Sequence, residues 1–138
     1  MPEEKELQEK IIVYRLMEAK LESLMKQREN LINSLMEIEE SIAGIEELKD
    51  KGGDIIFSLG SQTYIPCQIV KKDKIIVEVG ANVAIEKSLE EGKQILKKRK
   101  DDVEKSIVSI EAVINQLSSQ LKELNKEIRD IVEKRKVV

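Results

Sequence analysis

The sequence predicts an α+β protein, a long antiparallel two-helix coiled coil whose arms are joined by two β-hairpins. Three observations carry that expectation. Residues 3 to 50 and 88 to 136 each repeat apolar side chains every seven positions, the period of a supercoiled seam and not of a globular helix. Between them, residues 52 to 87 are short β-rich runs punctuated by turn residues. The chain is 41% apolar and 37% charged, and its only rings are Tyr14, Phe57 and Tyr64. Leu, Ile, Lys and Glu dominate, which is the composition of long helices. The expected division is a helix over 1–51, a β segment over 52–87 and a second helix over 88–138.

Composition also excludes several kinds of chemistry. With 24 basic and 27 acidic residues the formal charge is −3, so no nucleic-acid or acidic-membrane partner is expected. Cys67 is the single cysteine and there is no histidine, which removes disulfides within the chain and the usual ligands of zinc and haem. Without a histidine to activate it, Cys67 reads as a small core residue and not as a nucleophile. No phosphate-binding loop, paired-carboxylate pocket or Ser/His/Asp set is present, so neither a cofactor nor enzyme activity is expected. The acidic start, Pro2-Glu3-Glu4-Lys5-Glu6, is unlike a signal peptide. No apolar run approaches the ~20 residues of a membrane span, and the expectation is a soluble cytoplasmic protein.

In the first helix, heptad positions a are Leu7, Tyr14, Leu21, Arg28, Leu35 and Ile42, and positions d are Lys10, Met17, Leu24, Leu31, Ile38 and Ile45. Pro2, Glu3 and Glu4 suit a helix start, since Pro lacks an N–H that would be unpaired there and carboxylates favour the positive dipole end. Glu6 with Lys10, Glu22 with Lys26 and Glu47 with Lys51 have the favourable i,i+4 order, and Gly52-Gly53 is the expected stop. Arg28 on the seam has two readings. It either fixes register by reaching a carboxylate such as Glu111, or lays its stem along the seam and turns its head to water, the commoner behaviour and the one expected here.

The insert shows four short β runs with turn signals at Gly60-Ser61, Lys71-Lys72-Asp73 and Gly80-Ala81-Asn82, hence two hairpins. Thr63, Ile65, Cys67 and Ile69 alternate onto one face, as do Ile75, Val77 and Val79 on the next strand. Pro66 has no N–H and belongs at an edge or a bulge. Hairpins this short are marginal alone, and open apolar edges invite other chains. The insert is therefore expected to complete itself with other subunits, as part of an intersubunit β-barrel. The residues expected at that interface are Ile55, Phe57, Tyr64, Ile65, Ile69, Ile75, Val77, Val79, Val83 and Ile85.

Ser88-Leu89-Glu90-Glu91 predicts a capping box at the second helix start, with the Ser88 hydroxyl accepting from the Glu91 amide and Glu91 reaching back to the Ser88 N–H. Its d positions, Leu89, Leu96, Val103, Ile110, Leu117, Leu124 and Ile131, are all apolar. Its a positions are Lys93, Lys100, Ile107, Ile114, Leu121, Ile128 and Arg135. Equal arms of roughly 70 Å at helical rise suit folding back at the insert, with Leu48 beside Leu89, Leu31 near Ile107 and Leu7 near Ile128 and Ile131. Gly44 and Gly92 are either a hinge or tolerated exposed glycines. Lys97-Lys98-Arg99-Lys100 has the look of a nucleic-acid patch, but Asp101-Asp102 follows at once, and a solvated helix face is the better reading.

At the far ends, Ile11, Ile12 and Val13 wrap the first helix, and Val132, Val137 and Val138 do likewise near the other terminus. An apolar patch there is costly unless something binds it, although frayed termini also carry stray apolar residues.

The order helix, two hairpins, helix, with Ile56-Phe57-Ser58-Leu59-Gly60-Ser61 and the run Val79-Gly80 through Ala84, Glu86, Lys87 and Ser88, resembles the alpha class of prefoldin subunits of archaeal type. Two hairpins set that class apart from beta-type subunits, which carry one. The resemblance implies a heterohexamer of two alpha and four beta subunits, with a double β-barrel body and six coiled-coil tentacles. It further implies an ATP-independent chaperone that holds unfolded polypeptides at the tentacle tips and delivers them to a group II chaperonin. By position, client contacts would fall on Leu7, Ile11, Ile12, Tyr14, Ile128, Ile131 and Val132. Alpha-like relatives that build filaments through the same strands make a structural filament protein the alternative.

Overall fold

The computed structural model describes residues 2–50 and 53–136. The elements are α1 (Pro2–Asp50), β1 (Asp54–Gly60), β2 (Thr63–Gln68), β3 (Lys74–Gly80), β4 (Val83–Ser88) and α2 (Leu89–Lys136), which is the α+β class expected. Gly52 of the predicted stop, Lys51 of the predicted pair with Glu47, and Val137-Val138 lie outside the described residues.

Charge placement suits both helices. Glu3 and Glu4 lie in the first turn of α1 and Glu90 and Glu91 in that of α2, while Lys134, Arg135 and Lys136 close α2. The cap of α2 differs in one bond from the expected box. The Glu91 amide donates to Ser88 Oγ at 3.1 Å, but the Glu91 carboxylate accepts from the Ser88 hydroxyl and not from its amide. One hydroxyl thus serves as acceptor and donor, and the carboxylate still faces the positive end of the helix.

The chain divides into two compact units, Met1–Asn33 with Glu104–Val138, and Ser34–Val103. In the first, Glu4 pairs with Arg135, Lys10 with Glu127 and Arg28 with Glu111, so rising numbers on α1 meet falling numbers on α2. In the second, Glu39 with Lys100, Glu46 with Lys93 and Lys49 with Glu90 run the same way. The helices are antiparallel within each. None of the predicted a and d residues of α1 is exposed, and of those on α2 only Arg135 is. The best-buried seam residues are Leu7, Leu117 and Leu121 in one unit and Ile45 in the other.

Arg28 follows the rarer of its two readings. Its Nε donates to Glu111 Oε1 at 3.0 Å, with both side chains still 43% exposed. The head therefore meets a carboxylate on the returning helix while keeping contact with water.

The strands form two separate two-stranded antiparallel sheets, β1 with β2 and β3 with β4. Each turn has both central residues in the left-handed region, Ser61 (φ 49°) and Gln62 (φ 62°), then Ala81 (φ 51°) and Asn82 (φ 61°). Such turns match the twist of the strands they join. Both ladders shift register just before the turn, between Ser58 and Gly60 and between Glu78 and Gly80. The first ladder runs from Asp54 opposite Gln68 and the second from Lys74 opposite Ser88, so every position recurs 20 residues later. Ile55 and Ile75, Ile56 and Ile76, Gly60 and Gly80, and Ile65 and Ile85 are identical counterparts.

Gly92 is neither a hinge nor an exposed glycine. It is buried, and a Cβ built on it would overlap Ile75 Cδ1 and lie 2.8 Å from Ile75 Cγ1. The missing side chain makes room for the Ile75 side chain against the start of α2. At Gly44, by contrast, an added Cβ meets nothing within 4 Å.

Candidate functional site

Two surfaces stand out, one in each unit. In the unit of Met1–Asn33 and Glu104–Val138, Ile12 (58% exposed), Val13 and Leu16 (67% exposed) project from α1. Ile12 and Leu16 are spaced i,i+4 and Val13 and Leu16 i,i+3, so the three adjoin on one helix face. Of the predicted client residues, Ile12 and Val132 are exposed, whereas Ile11, Tyr14, Ile128 and Ile131 are half-buried along the seam. Leu7 is only 8% exposed and holds the helices together, so it offers no surface to a client. Lys10 anchors this end, donating to Glu127 Oε2 at 3.0 Å with Glu6 at 3.6 Å. The Glu127 hydrogen bond raises the pKa of Lys10.

In the unit of Ser34–Val103 the hairpins carry an unusual load of uncovered apolar side chains. Ile55, Phe57, Tyr64 and Ile65 on the first hairpin, and Val79, Val83 and Ile85 on the second, are exposed. Ile69 and Ile75 are half-buried, and Val77, at 6% exposure, is the one predicted interface residue buried by its own chain. Cys67 is half-buried opposite Ile55 in the ladder.

The strand backbones have defined directions. Ile69 N donates to Gly53 O at 2.7 Å across the first hairpin. Because backbone groups alternate sides along a strand, those of Ile65 and Cys67 also face β1, and those of Tyr64 and Pro66 face outward. Pro66 thus sits on the open edge, as its missing N–H requires. Leu89 N donates to Asp73 O at 3.3 Å, which by the same parity points the groups of Ile76 and Glu78 outward from β3. Arg99 Nη2 donates to the Glu78 carbonyl. Arg99, Ser41, Ile45 and Leu96 line a groove with Ile75, Ile76, Val77 and Glu78. Two residues of the basic run are therefore engaged within the chain, Arg99 on β3 and Lys100 3.7 Å from Glu39, while Lys97 and Lys98 are exposed.

Under the hairpins, Lys49 Nζ donates to Glu90 Oε2 at 2.8 Å and lies 3.9 Å from Glu46, which itself pairs with Lys93. The hydrogen bond from Lys49, then that from Gln94, hold the Glu90 carboxyl down at about 2. Lys93 lowers the pKa of Glu46 in the same way. Among the described residues no group of His, Cys, Asp and Glu could hold a metal ion, and no helix is long and apolar enough to cross a membrane.

A Prefoldin subunit family model matches residues 17–134. The chain belongs to the prefoldin family. Similar proteins include the "Prefoldin subunit alpha" of Pyrococcus horikoshii, 23% identical over 133 residues, with 94% of this chain and 90% of that protein covered. That of Methanococcus vannielii is 29% identical over 130 residues, covering 94% and 86%. A "Probable prefoldin subunit 3" of Dictyostelium discoideum is 28% identical over 141 residues, covering 96% and 71%. Among solved structures, a chain of the filamentous PFD of Methanocaldococcus jannaschii, determined by cryo-EM, aligns with a TM-score of 0.69 at 23% identity, covering 82% of this chain and 95% of that one. The shared fold is the pair of long helices joined by two hairpins. Prefoldins are chaperones and not enzymes, and they work as oligomeric complexes of prefoldin subunits. The present prefoldin is of the alpha class.

Several exposed residues of this prefoldin escaped the heptad and alternation patterns. Leu16, Ile56, Leu59 and Ile76, the last 76% exposed, are uncovered apolar side chains outside the predicted sets. The signal for the strand residues was present. Ile55-Ile56-Phe57 and Ile75-Ile76-Val77 are unbroken apolar runs, which suit strands covered on both faces better than one-sided alternation.

Proposed function

We propose that this prefoldin is an ATP-independent holdase subunit of a cytoplasmic heterohexamer with beta-class subunits. In this reading the hairpins join the subunits, and unfolded polypeptides are held on the apolar side chains of the unit that carries both chain ends, then passed to a group II chaperonin. The observation that carries the client assignment is the outward cluster Ile12, Val13 and Leu16. Large apolar side chains packed together on a solvent face of a charged helix are stabilised when another apolar surface covers them. Val132 adds a second exposed contact on α2. Each such patch is small, so useful affinity comes from several subunits gripping one client at once.

The test is suppression of aggregation of a chemically denatured client by the assembled complex. Ile12→Ser, Leu16→Ser and Val132→Ser combined should abolish most of the suppression while the mass of the complex stays unchanged. Full suppression by that variant at unchanged mass would show that clients bind elsewhere. The filament alternative draws support from the open strand edges of the hairpins. Sedimentation separates the two, since a filament gains mass with concentration and a closed complex does not.

A further inference from the structure

We propose that the two hairpins, alike in sequence, differ mechanically: the second is fixed to the helices and moves with them, whereas the first is held by its own ladder and opens freely until a partner subunit covers it. The inference rests on the assembly role given to the hairpins above and adds which of them is joined rigidly to the helices. The 20-residue repeat makes the comparison direct, because each paired position of β1 and β2 has a counterpart on β3 and β4. Phe57 is 57% exposed while its counterpart Val77 is 6% exposed, and Ile55 is exposed while Ile75 is half-buried. Every residue of β1 is exposed, and on β2 all but Cys67 are.

Packing, hydrogen bonding and connectivity each fix the second hairpin. Ile75 fills the space left by Gly92, where an added Cβ would also lie 3.8 Å from Val77 Cγ2, and β3 lines a groove with Ser41 and Ile45 of α1 and Leu96 of α2. Arg99 of α2 donates to the Glu78 carbonyl near the end of β3. The bond from Leu89 N to Asp73 O repeats, 20 residues on, the bond from Ile69 N to Gly53 O. In the first hairpin that bond comes from a linker residue, and in the second it comes from the first residue of α2. No loop intervenes between β4 and α2, since Ser88 ends the strand and its hydroxyl caps the helix. The first hairpin instead reaches β3 through residues 69–73, of which Val70 is almost wholly exposed. A hairpin that buries so little is marginal in water and opens locally, whereas the second opens only together with the helix ends that hold it.

Amide hydrogen exchange of the full-length chain, read by mass spectrometry over a dilution series, tests the difference. Relative to unstructured rates, amides of residues 54–68 should exchange at least about tenfold faster than those of 74–88 in the dilute chain. Any protection of 54–68 that comes from self-association should fall with dilution, while that of 74–88 stays constant. Adding a beta-class subunit should slow exchange in 54–68 and leave 74–88 nearly unchanged. Arg99→Ala should speed exchange in 74–88 and leave 54–68 as it was. Equal protection of the two hairpins at high dilution, or a second hairpin whose protection follows that of the first as partner is added, overturns the assignment. Unchanged exchange of 74–88 in Arg99→Ala overturns the part given to that side chain. A complex that forms by sedimentation while 54–68 still exchanges at the lone-chain rate overturns the ordering of the first hairpin but spares the assembly role. Failure to form any complex overturns that role and the ordering with it, and the fixing of the second hairpin is still decided by the lone chain.

Discussion

Two glycines show how a single position takes its meaning from what lies across from it. Gly44 lies inside α1 and Gly92 at the start of α2, and glycine within a helix costs up to ~1 kcal/mol relative to alanine. At Gly44 an added Cβ meets open space, so Gly44→Ala should stabilise the protein by up to about 1 kcal/mol. At Gly92 the same methyl group collides with Ile75, and overpacking of this kind costs about 1–3 kcal/mol, which outweighs the gain in helix propensity. Gly92→Ala should therefore lower the melting temperature while Gly44→Ala raises it. Denaturant titration of the two variants checks the opposite signs. A double variant, Gly92→Ala with Ile75→Val, should recover part of the loss, since it shortens the colliding branch.

At the scale of elements, the helices were legible because their burial depends on sequence period alone. Every apolar a and d residue of α1 that the heptad picked out is buried or half-buried, from Leu7 to Ile45, and Ser88 caps α2 at the predicted residue. The strands and their turns were legible for the same local reason. The function of Gly92 was not, because it depends on Ile75 on another element, and Ile56 and Ile76 were missed because their faces are left bare by the single chain. Ion pairing between the helices was only partly legible, since geometry decides which of many charges meet. The pair at Glu90 has a consequence for acid stability. Its folded pKa, about 2, lies below the ordinary 4.5, so the ionised form is favoured in the folded state. Its contribution is fully present above pH 4.5 and is lost as pH falls from there towards 2. Glu46, facing Lys93 and Lys49, acts in the same direction. Melting temperature should thus drop on acidification through this window, and Glu90→Gln should make the drop shallower. An unchanged acid profile in that variant would mean that solvent screens the Lys49 contact.

For the molecule as a whole, exposed area is the quantity that decides. Only Leu7, Ile45, Val77, Leu117 and Leu121 are buried apolar residues among those described, and none of them is below 2% exposure. A chain with so small a core gains little from folding alone, because area removed from water is the main term opposing chain entropy. The remaining apolar surface sits largely on the hairpins, where Ile56, Phe57, Leu59, Tyr64 and Ile76 are each more than half exposed. Covering them with other subunits adds burial that exists only in the complex. Stability then becomes linked to subunit concentration, since any partner that binds the folded chain and not the unfolded one shifts the equilibrium by mass action. The melting temperature of this prefoldin should accordingly rise with protein concentration and rise further on adding a beta-class subunit. Calorimetry over a hundredfold range of concentration, about the span that moves stability by ~2.7 kcal/mol for one saturating site, reads the effect directly. A melting temperature independent of both concentration and partner would mean that the lone chain is stable on its small seam core, and that the exposed hairpin residues are not part of what holds the fold together.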